Sequence, residues 1–387
     1  MRARRAQERE TSTMLNATSG RRWRLVLSLL AVFALIAAAC GDSDDDSSSD
    51  TTAAAEAPAE TTDAPAETEA PAETEAPAET EPPAEDSDGP VQVAYLSASS
   101  ANTWLQSSRE AMEAVAADNG IEIVEFDAQF DPALQQQQFQ DAVTSGQYGG
   151  IVLVSLVGSG SIPDVEDALG AGLEVVVLNQ VVGDDLTTVE PQVDGIAAAV
   201  FEPPQVRGER IGELTLEACA DLDPCNVVYF YGIRGVPLDE AVRLGWDSVV
   251  EGSAVNVVAE GEGQYLGPDV GLTAMQDILV STSEIDVVIG ADQSMQGVEL
   301  ALDEAGISDV LIIGFGGSEY AVEAISDGRW WGGLYGAPAT EGELAMLAMV
   351  DALGGSDTGG IDPAQSVPNG GLMTPDNIGD FTAQWVG

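Results

Sequence analysis

The chain has no histidine and no lysine. All 13 of its cationic side chains are arginine, against 66 Asp and Glu, for a formal net charge of −53 over 387 residues. Without histidine the common Ser-His-Asp and Cys-His arrangements lack their general base, and the usual zinc sites lose their main nitrogen ligand. Gly-x-Ser-x-Gly, Walker and Gly-x-Gly-x-x-Gly spacings are missing too; GEGQYLG and GFGGSE are glycine-rich but spaced differently. A hydrolase is therefore a remote reading, and neither a cofactor nor a metal is expected. The charge excludes nucleic acid, whose phosphates require a basic face. It also disfavours an anionic solute, unless an arginine is set aside for it. An acidic, lysine-free surface suits high ionic strength, where counter-ions screen self-repulsion.

Cysteine is nearly absent as well: Cys40, Cys219 and Cys225 are the only three. Cys219 ends a helical pattern running from Arg207 to Ala220, and Cys225 precedes an apolar run. In an oxidising compartment a disulfide closing this small loop is expected, with free thiols as the alternative.

Cys40 has a different setting. Arg21, Arg22 and Arg24 precede an apolar run from Leu25 to Ala39, which is too short for a stable membrane span and has the layout of an export signal over residues 1–39. Ala37-Ala38-Ala39-Cys40 resembles the lipobox of bacterial lipoproteins, although Leu is usual where Ala37 stands. The resemblance implies lipid on Cys40 and attachment to the outer face of a membrane, where each buried methylene contributes about 0.8 kcal/mol. Residues 40–89 then carry the repeated APAETE unit and no basic residue. Proline and like charge deny this stretch a core, so it is expected to be a disordered leash with a reach on the order of 150 Å.

From Pro90 onward the chain is too long for one comfortable core. Apolar, β-branched runs start near Val91, Ile121, Gly150 and Glu174, and again near Asn226, Asn256, Ile285 and Asp309. The steps are 30, 29 and 24 residues in both halves. Amphipathic helices are expected between them: Thr103 to Asp118, Pro132 to Ser145 and Ile162 to Leu169, then Leu238 to Val250, Asp269 to Val280, Ser294 to Glu304 and Glu319 to Ser326. Apolar strands joined by helices predict α/β architecture, with two similar doubly wound parallel-sheet lobes. Ligand crevices lie beyond the carboxyl ends of such strands, so facing lobes share one cleft.

The folded region resembles the ribose-binding, type I periplasmic-binding-protein family, the solute receptors of ABC importers. SANTWLQSSREAMEAVAADNG matches the first strand-to-helix junction of that family and FDAQFDP the second. DVLIIGFGGSEYAVEAISDGRW matches the last strand-helix-strand unit, and RLGW stands where the family carries Gly-Phe. The resemblance implies a proximal lobe of 90–201 plus 337–367 and a distal lobe of 202–336 plus 368–387. Three hinge crossings follow, near Phe201 to Pro204, Tyr335 to Pro338 and Val367 to Leu372. It also implies a monomer that hands a small, sugar-like solute to an ABC permease; a sensory receptor signalling to a membrane kinase is the alternative.

Strand-end placement nominates Asn102, Trp104, Leu105, Asp127, Gln129, Ser155, Asn179 and Gln180 on the proximal side. On the distal side it nominates Tyr231, Arg234, Glu240, Tyr265, Asp292, Gln293 and Ser318, with Tyr335 near the second crossing. Aromatic rings would stack on a sugar face and amides would supply directional hydrogen bonds. Several positions depart from the ribose-type pattern. Asn179-Gln180 replaces Asp-Arg, Glu240 an arginine, Ala291 an asparagine, Gly316 an aspartate and Gly336 a glutamine. Losing so many gripping groups points to a ligand less polar than ribose or to other residues holding it.

Overall fold

The computed structural model describes residues 89–387. The export signal, Cys40 and the acidic leash up to residue 88 lie outside the described residues.

The first set of apolar runs forms β1 (Val91–Ser97), β2 (Ile121–Asp127), β3 (Tyr148–Leu153) and β4 (Glu174–Leu178). They alternate with α1 (Thr103–Asp118), α2 (Pro132–Ser145) and α3 (Ile162–Gly170). A short β5 (Ala198–Val200) follows. The distal lobe repeats the scheme with α4 (Pro204–Ala218), β6 (Cys225–Tyr231), α5 (Pro237–Val250), β7 (Val255–Glu262) and α6 (Pro268–Ser281). It continues through β8 (Val287–Ala291), α7 (Asp292–Ala305), β9 (Leu311–Gly316), α8 (Glu319–Ser326) and β10 (Gly332–Tyr335). Then α9 (Pro338–Leu353) and β11 (Gly359–Ile361) return to the proximal lobe, and β12 (Leu372–Met373) joins the distal one.

Each lobe holds a six-stranded sheet, in the orders β11-β5-β4-β3-β1-β2 and β12-β10-β9-β8-β6-β7. Every pairing is parallel except that of β12 with β10. The two windings are the same, as the matched spacing requires. Val93 to Leu96 are fully buried, with alternate residues feeding different core clusters on the two faces of the proximal sheet. Burial on both faces explains why these strands read as continuous apolar runs.

Local chemistry sets the helix ends. The Asp131 carboxylate caps α2 by accepting from the Ala133 and Leu134 N–H groups, Pro132 occupies its first turn, and left-handed Gly146 ends it. Periodicity had no purchase on β5, β11 and β12, which are three, three and two residues long. It also missed α9, where the exposed Leu347 and an abundance of Ala and Met blur the stripe. Cys219 and Cys225 are joined by a disulfide with their Cα atoms 5.6 Å apart. No helix among the described residues is long and apolar enough to cross a membrane.

The chain passes between the sheets after β5, after β10 and between β11 and β12. These crossings lie side by side, enclosing a void of about 10 Å³ lined by Glu202, Tyr335, Gly336, Ala337, Pro363 and Val367. Glu202 is fastened there by two arginines, Arg207 at 3.0 Å and Arg210 at 2.7 Å.

Candidate ligand cleft

The carboxyl ends of the strands in both sheets border one cavity of about 80 Å³ between the lobes. From the proximal lobe come Asn102, Trp104 and Leu105 after β1, Phe130 after β2, Leu156 after β3, and Asn179 with Gln180 after β4. From the distal lobe come Ile233, Leu238 and Asp239 around the start of α5, Tyr265 after β7, Gln293 after β8 and Phe315 at β9. Arg207 and Trp385 complete the wall.

Asn102 serves both lobes. Its Oδ1 accepts from the Leu105 N–H at 2.9 Å, capping α1, while its Nδ2 donates across the cleft to the Tyr265 carbonyl at 3.0 Å. Trp104 Nε1 and Asn179 Nδ2 both donate to one oxygen of Glu341, each at 3.1 Å. Gly342 allows this, because a Cβ there would lie 2.0 Å from the Ser108 carbonyl; α9 can thus approach α1 closely enough for Glu341 to reach the indole. Glu341 is 2 % exposed, and burial pushes its carboxyl up to about 7 against the opposing pull of Arg207 and its two hydrogen bonds. Arg207 also lies over the Trp104 ring, 5.5 Å from its centroid.

On the distal side Asp239 accepts from the Gly232 and Ile233 N–H groups, both at 3.0 Å, and from the Tyr265 hydroxyl. Burial raises its carboxyl to about 6, opposed by these hydrogen bonds. The charged groups of the cleft are thus already engaged by the protein. Two amides are freer: Gln180 makes one weak 3.4 Å contact to Asn179, and the Gln293 amide is engaged by no other described group.

Seven of the nominated residues therefore border the cavity: Asn102, Trp104, Leu105, Asn179, Gln180, Tyr265 and Gln293. The others stand elsewhere, for identifiable reasons. Asp127 ties the loop after β1, accepting from Ser100 N–H and Oγ and from Gln129 N–H. Gln129 is exposed, and the left-handed turn at 129–130 brings Phe130 into the cavity in its place. Ser155 is buried against Ser161 and accepts from the Val157 and Gly158 N–H groups. Arg234 stacks on Tyr231 at 4.1 Å and pairs with Glu260, outside the cavity, while the Tyr231 hydroxyl accepts from Arg243. Glu240 is exposed and accepts from the Gly235 N–H; its neighbour Asp239, about 100° away around the helix, faces the cleft. Asp292 is fully buried and accepts from the Ser318 N–H, and Ser318 caps α8. Tyr335 donates to the Thr382 carbonyl at the crossings.

Arg207, Phe130, Asp239, Phe315 and Trp385 escaped the sequence reading. Only Asp239 carried a signal, as an acid in the first turn of a proline-led helix.

A model of the periplasmic binding protein domain matches residues 93–357. The chain belongs to the periplasmic binding protein family. Among related sequences, the ribose import binding protein RbsB of Escherichia coli is 25% identical over 230 residues, covering 59% of this chain and 73% of that protein. The xylitol-binding protein of Mycolicibacterium smegmatis is 25% identical over 280 residues, covering 72% of this chain and 75% of that protein. Among solved structures, a galactofuranose binding protein superposes with a TM-score of 0.66 at 19% identity, covering 75% of this chain and 97% of that one. An ABC transporter solute binding protein from Mycobacterium smegmatis with bound glycerol gives 0.65 at 23%, covering 77% and 100%. This periplasmic binding protein is accordingly an extracytoplasmic, non-enzymatic solute receptor.

Proposed function

We propose that this periplasmic binding protein captures a small, neutral, polyhydroxylated solute in the cleft and presents its closed form to an ABC permease, held at the outer membrane face by lipid on Cys40. The observation that carries the neutral-solute reading is the state of the charges around the cavity. Arg207 is matched by Glu202, Glu341 by Trp104 and Asn179, and Asp239 by Tyr265 and two backbone N–H groups. A charged solute would have to displace one of these partners and leave a buried group unmet, at a cost of about 1–3 kcal/mol or more. The Gln180 and Gln293 amides, one from each lobe, supply donors and acceptors without charge.

A solute bridging these two amides stabilises the closed arrangement by its contacts to both sides, and the three crossings act as the hinge. On this reading the lobes move as 90–201 plus 337–367 against 202–336 plus 368–387. The protein works as a monomer, because one chain supplies both faces of the cleft.

Thermal denaturation of the full chain with glycerol, erythritol, xylitol, D-ribose and myo-inositol, alongside arginine and glutamate, tests the proposal. At one hundred times Kd a solute adds about 2.7 kcal/mol of stability, a clear rise in Tm. Stabilisation by at least one neutral polyol or sugar and by neither charged control is expected. No response to any neutral solute, or a response to a charged one alone, overturns it.

A further inference from the structure

The segment 381–387 holds both lobes at once. Phe381 packs in the distal core, whereas Trp385, 4 % exposed, lies in a core cluster of the proximal lobe. Gln384 accepts from the Thr340 N–H at 3.0 Å, donates to Thr340 Oγ1 at 2.8 Å, and accepts through its carbonyl from Ser107 Oγ at 2.7 Å. Thr103 Oγ1 donates to the Gly387 carbonyl at 3.1 Å. On the distal side Trp385 Nε1 donates to the Gly316 carbonyl at 2.8 Å, and the Trp385 carbonyl accepts from the Glu319 N–H at 2.9 Å.

Trp385 meets Trp104 edge to face, with ring centroids 5.4 Å apart. Two glycines leave room for this indole pair. A Cβ on Gly316 would fall 2.6 Å from Trp385 Cζ2, and one on Gly336 would fall 2.2 Å from Trp104 Cη2. The rings fill space that side chains from the end of β9 and from the second crossing would otherwise enter. The cavity left beside them is about 80 Å³. An apolar protein cavity of about 150 Å³ is the size that admits benzene. A six-membered sugar ring with its hydroxyls is larger still.

We propose that Trp385 is a specificity-determining wall of the ligand cleft, carried on a strap that bridges the lobes, and that it limits the protein to short acyclic polyols of about the size of glycerol or erythritol. The inference rests on the solute-receptor reading and narrows it. In the closed arrangement the hydrogen bonds to both lobes make the strap a wall of the cleft, not a plug that the solute displaces. With the strap seated, the solute is enclosed by Trp104, Trp385 and the two glutamine amides, and excess length or an added ring is refused by volume.

Calorimetric titration of the full chain and of Trp385→Ala with glycerol, erythritol, xylitol, D-ribose and myo-inositol decides the matter. The unaltered protein is expected to favour glycerol or erythritol over myo-inositol. Trp385→Ala is expected to lose at least tenfold in affinity for the short polyols and to gain at least tenfold for D-ribose or myo-inositol. An equal weakening across the series would mean that Trp385 serves only to hold the lobes, and overturns the proposal; so does an unchanged order of affinities. Should Trp385→Ala fail to fold, Trp385→Phe decides, since a smaller ring is expected to shift the preference toward xylitol and an unchanged order refutes the wall. Tight binding of myo-inositol by the unaltered protein overturns the size limit while leaving the receptor reading intact. Binding of none of the five by the unaltered protein removes the receptor reading itself.

Discussion

Replacing Glu341 by glutamine is expected to remove a large part of the protein's pH dependence. The carboxyl is 2 % exposed, and burial raises it to about 7 despite the Arg207 charge and the hydrogen bonds from Asn179 and Trp104. In the unfolded chain a glutamate titrates near about 4.3. Between those two values the folded protein keeps a proton that the unfolded chain has released. The folded state is therefore favoured at low pH, and stability from this group falls as pH rises toward 7, then levels off. An interval of about 2.7 between the two pKa values corresponds to roughly 3–4 kcal/mol. Burial also raises Asp239 and Asp292 to about 6, so they add slopes of the same sign. These persist in the variant and cancel in the comparison. The introduced amide is isosteric with the protonated acid, so wild type and Glu341→Gln should agree within about 1 kcal/mol at pH 5. By pH 8 the variant should be the more stable by roughly 3–4 kcal/mol. Urea denaturation followed by far-UV circular dichroism at intervals between pH 5 and 8 measures this directly. Parallel pH profiles for the two proteins would refute the burial argument.

Gly336→Ala places a methyl 2.2 Å from the Trp104 ring and should cost about 1–3 kcal/mol by overpacking, read as a lower urea midpoint; an unaltered midpoint would show that the indole yields freely. Asp239→Ala strands the Gly232 and Ile233 N–H groups and the Tyr265 hydroxyl. A loss of about 2 kcal/mol or more is expected, together with weaker solute binding. Asn102→Ala removes both a helix cap and the bridge to the Tyr265 carbonyl, so about 1 kcal/mol of stability should go, along with part of the affinity. Where the two lobes meet outside the cavity, a Cβ on Gly158 would already lie 3.3 Å from the Pro237 ring. Gly158→Trp should therefore prop the lobes apart, weakening solute binding at least tenfold and enlarging the radius of gyration by small-angle scattering; unchanged binding would place that contact outside the closing motion.

Two sets of apolar runs at equal spacing were enough to specify two sheets of the same winding, because strands buried on both faces must be apolar throughout. Helices α1 and α2 match their expected limits because Asn102 and Asp131 write their caps into the sequence. Strand ends located the cleft, and with it Asn179, Gln180, Tyr265 and Gln293. Finer questions lay beyond any local pattern. Asp239 rather than Glu240 faces the cavity because one step along a helix turns a side chain by about 100°, and the seating of α5 on β6 sets the starting angle. Asp292 anchors the 316–318 turn and does not border the cavity, because its fully buried carboxylate turns to the Ser318 N–H while its neighbours Ala291 and Gln293 line the cavity.

Trp385 marks the boundary between what sequence and tertiary structure decide. Its segment follows the last strand, has no periodicity, and meets α1 through the Thr103–Gly387 bond across 284 positions of chain. Local sequence determined the lobes and the direction in which their strands point, since continuous apolar runs and helix capping act over a few residues. Only the folded chain decided the depth of the cleft and which indole closes it, because those depend on packing between segments that no short-range preference links.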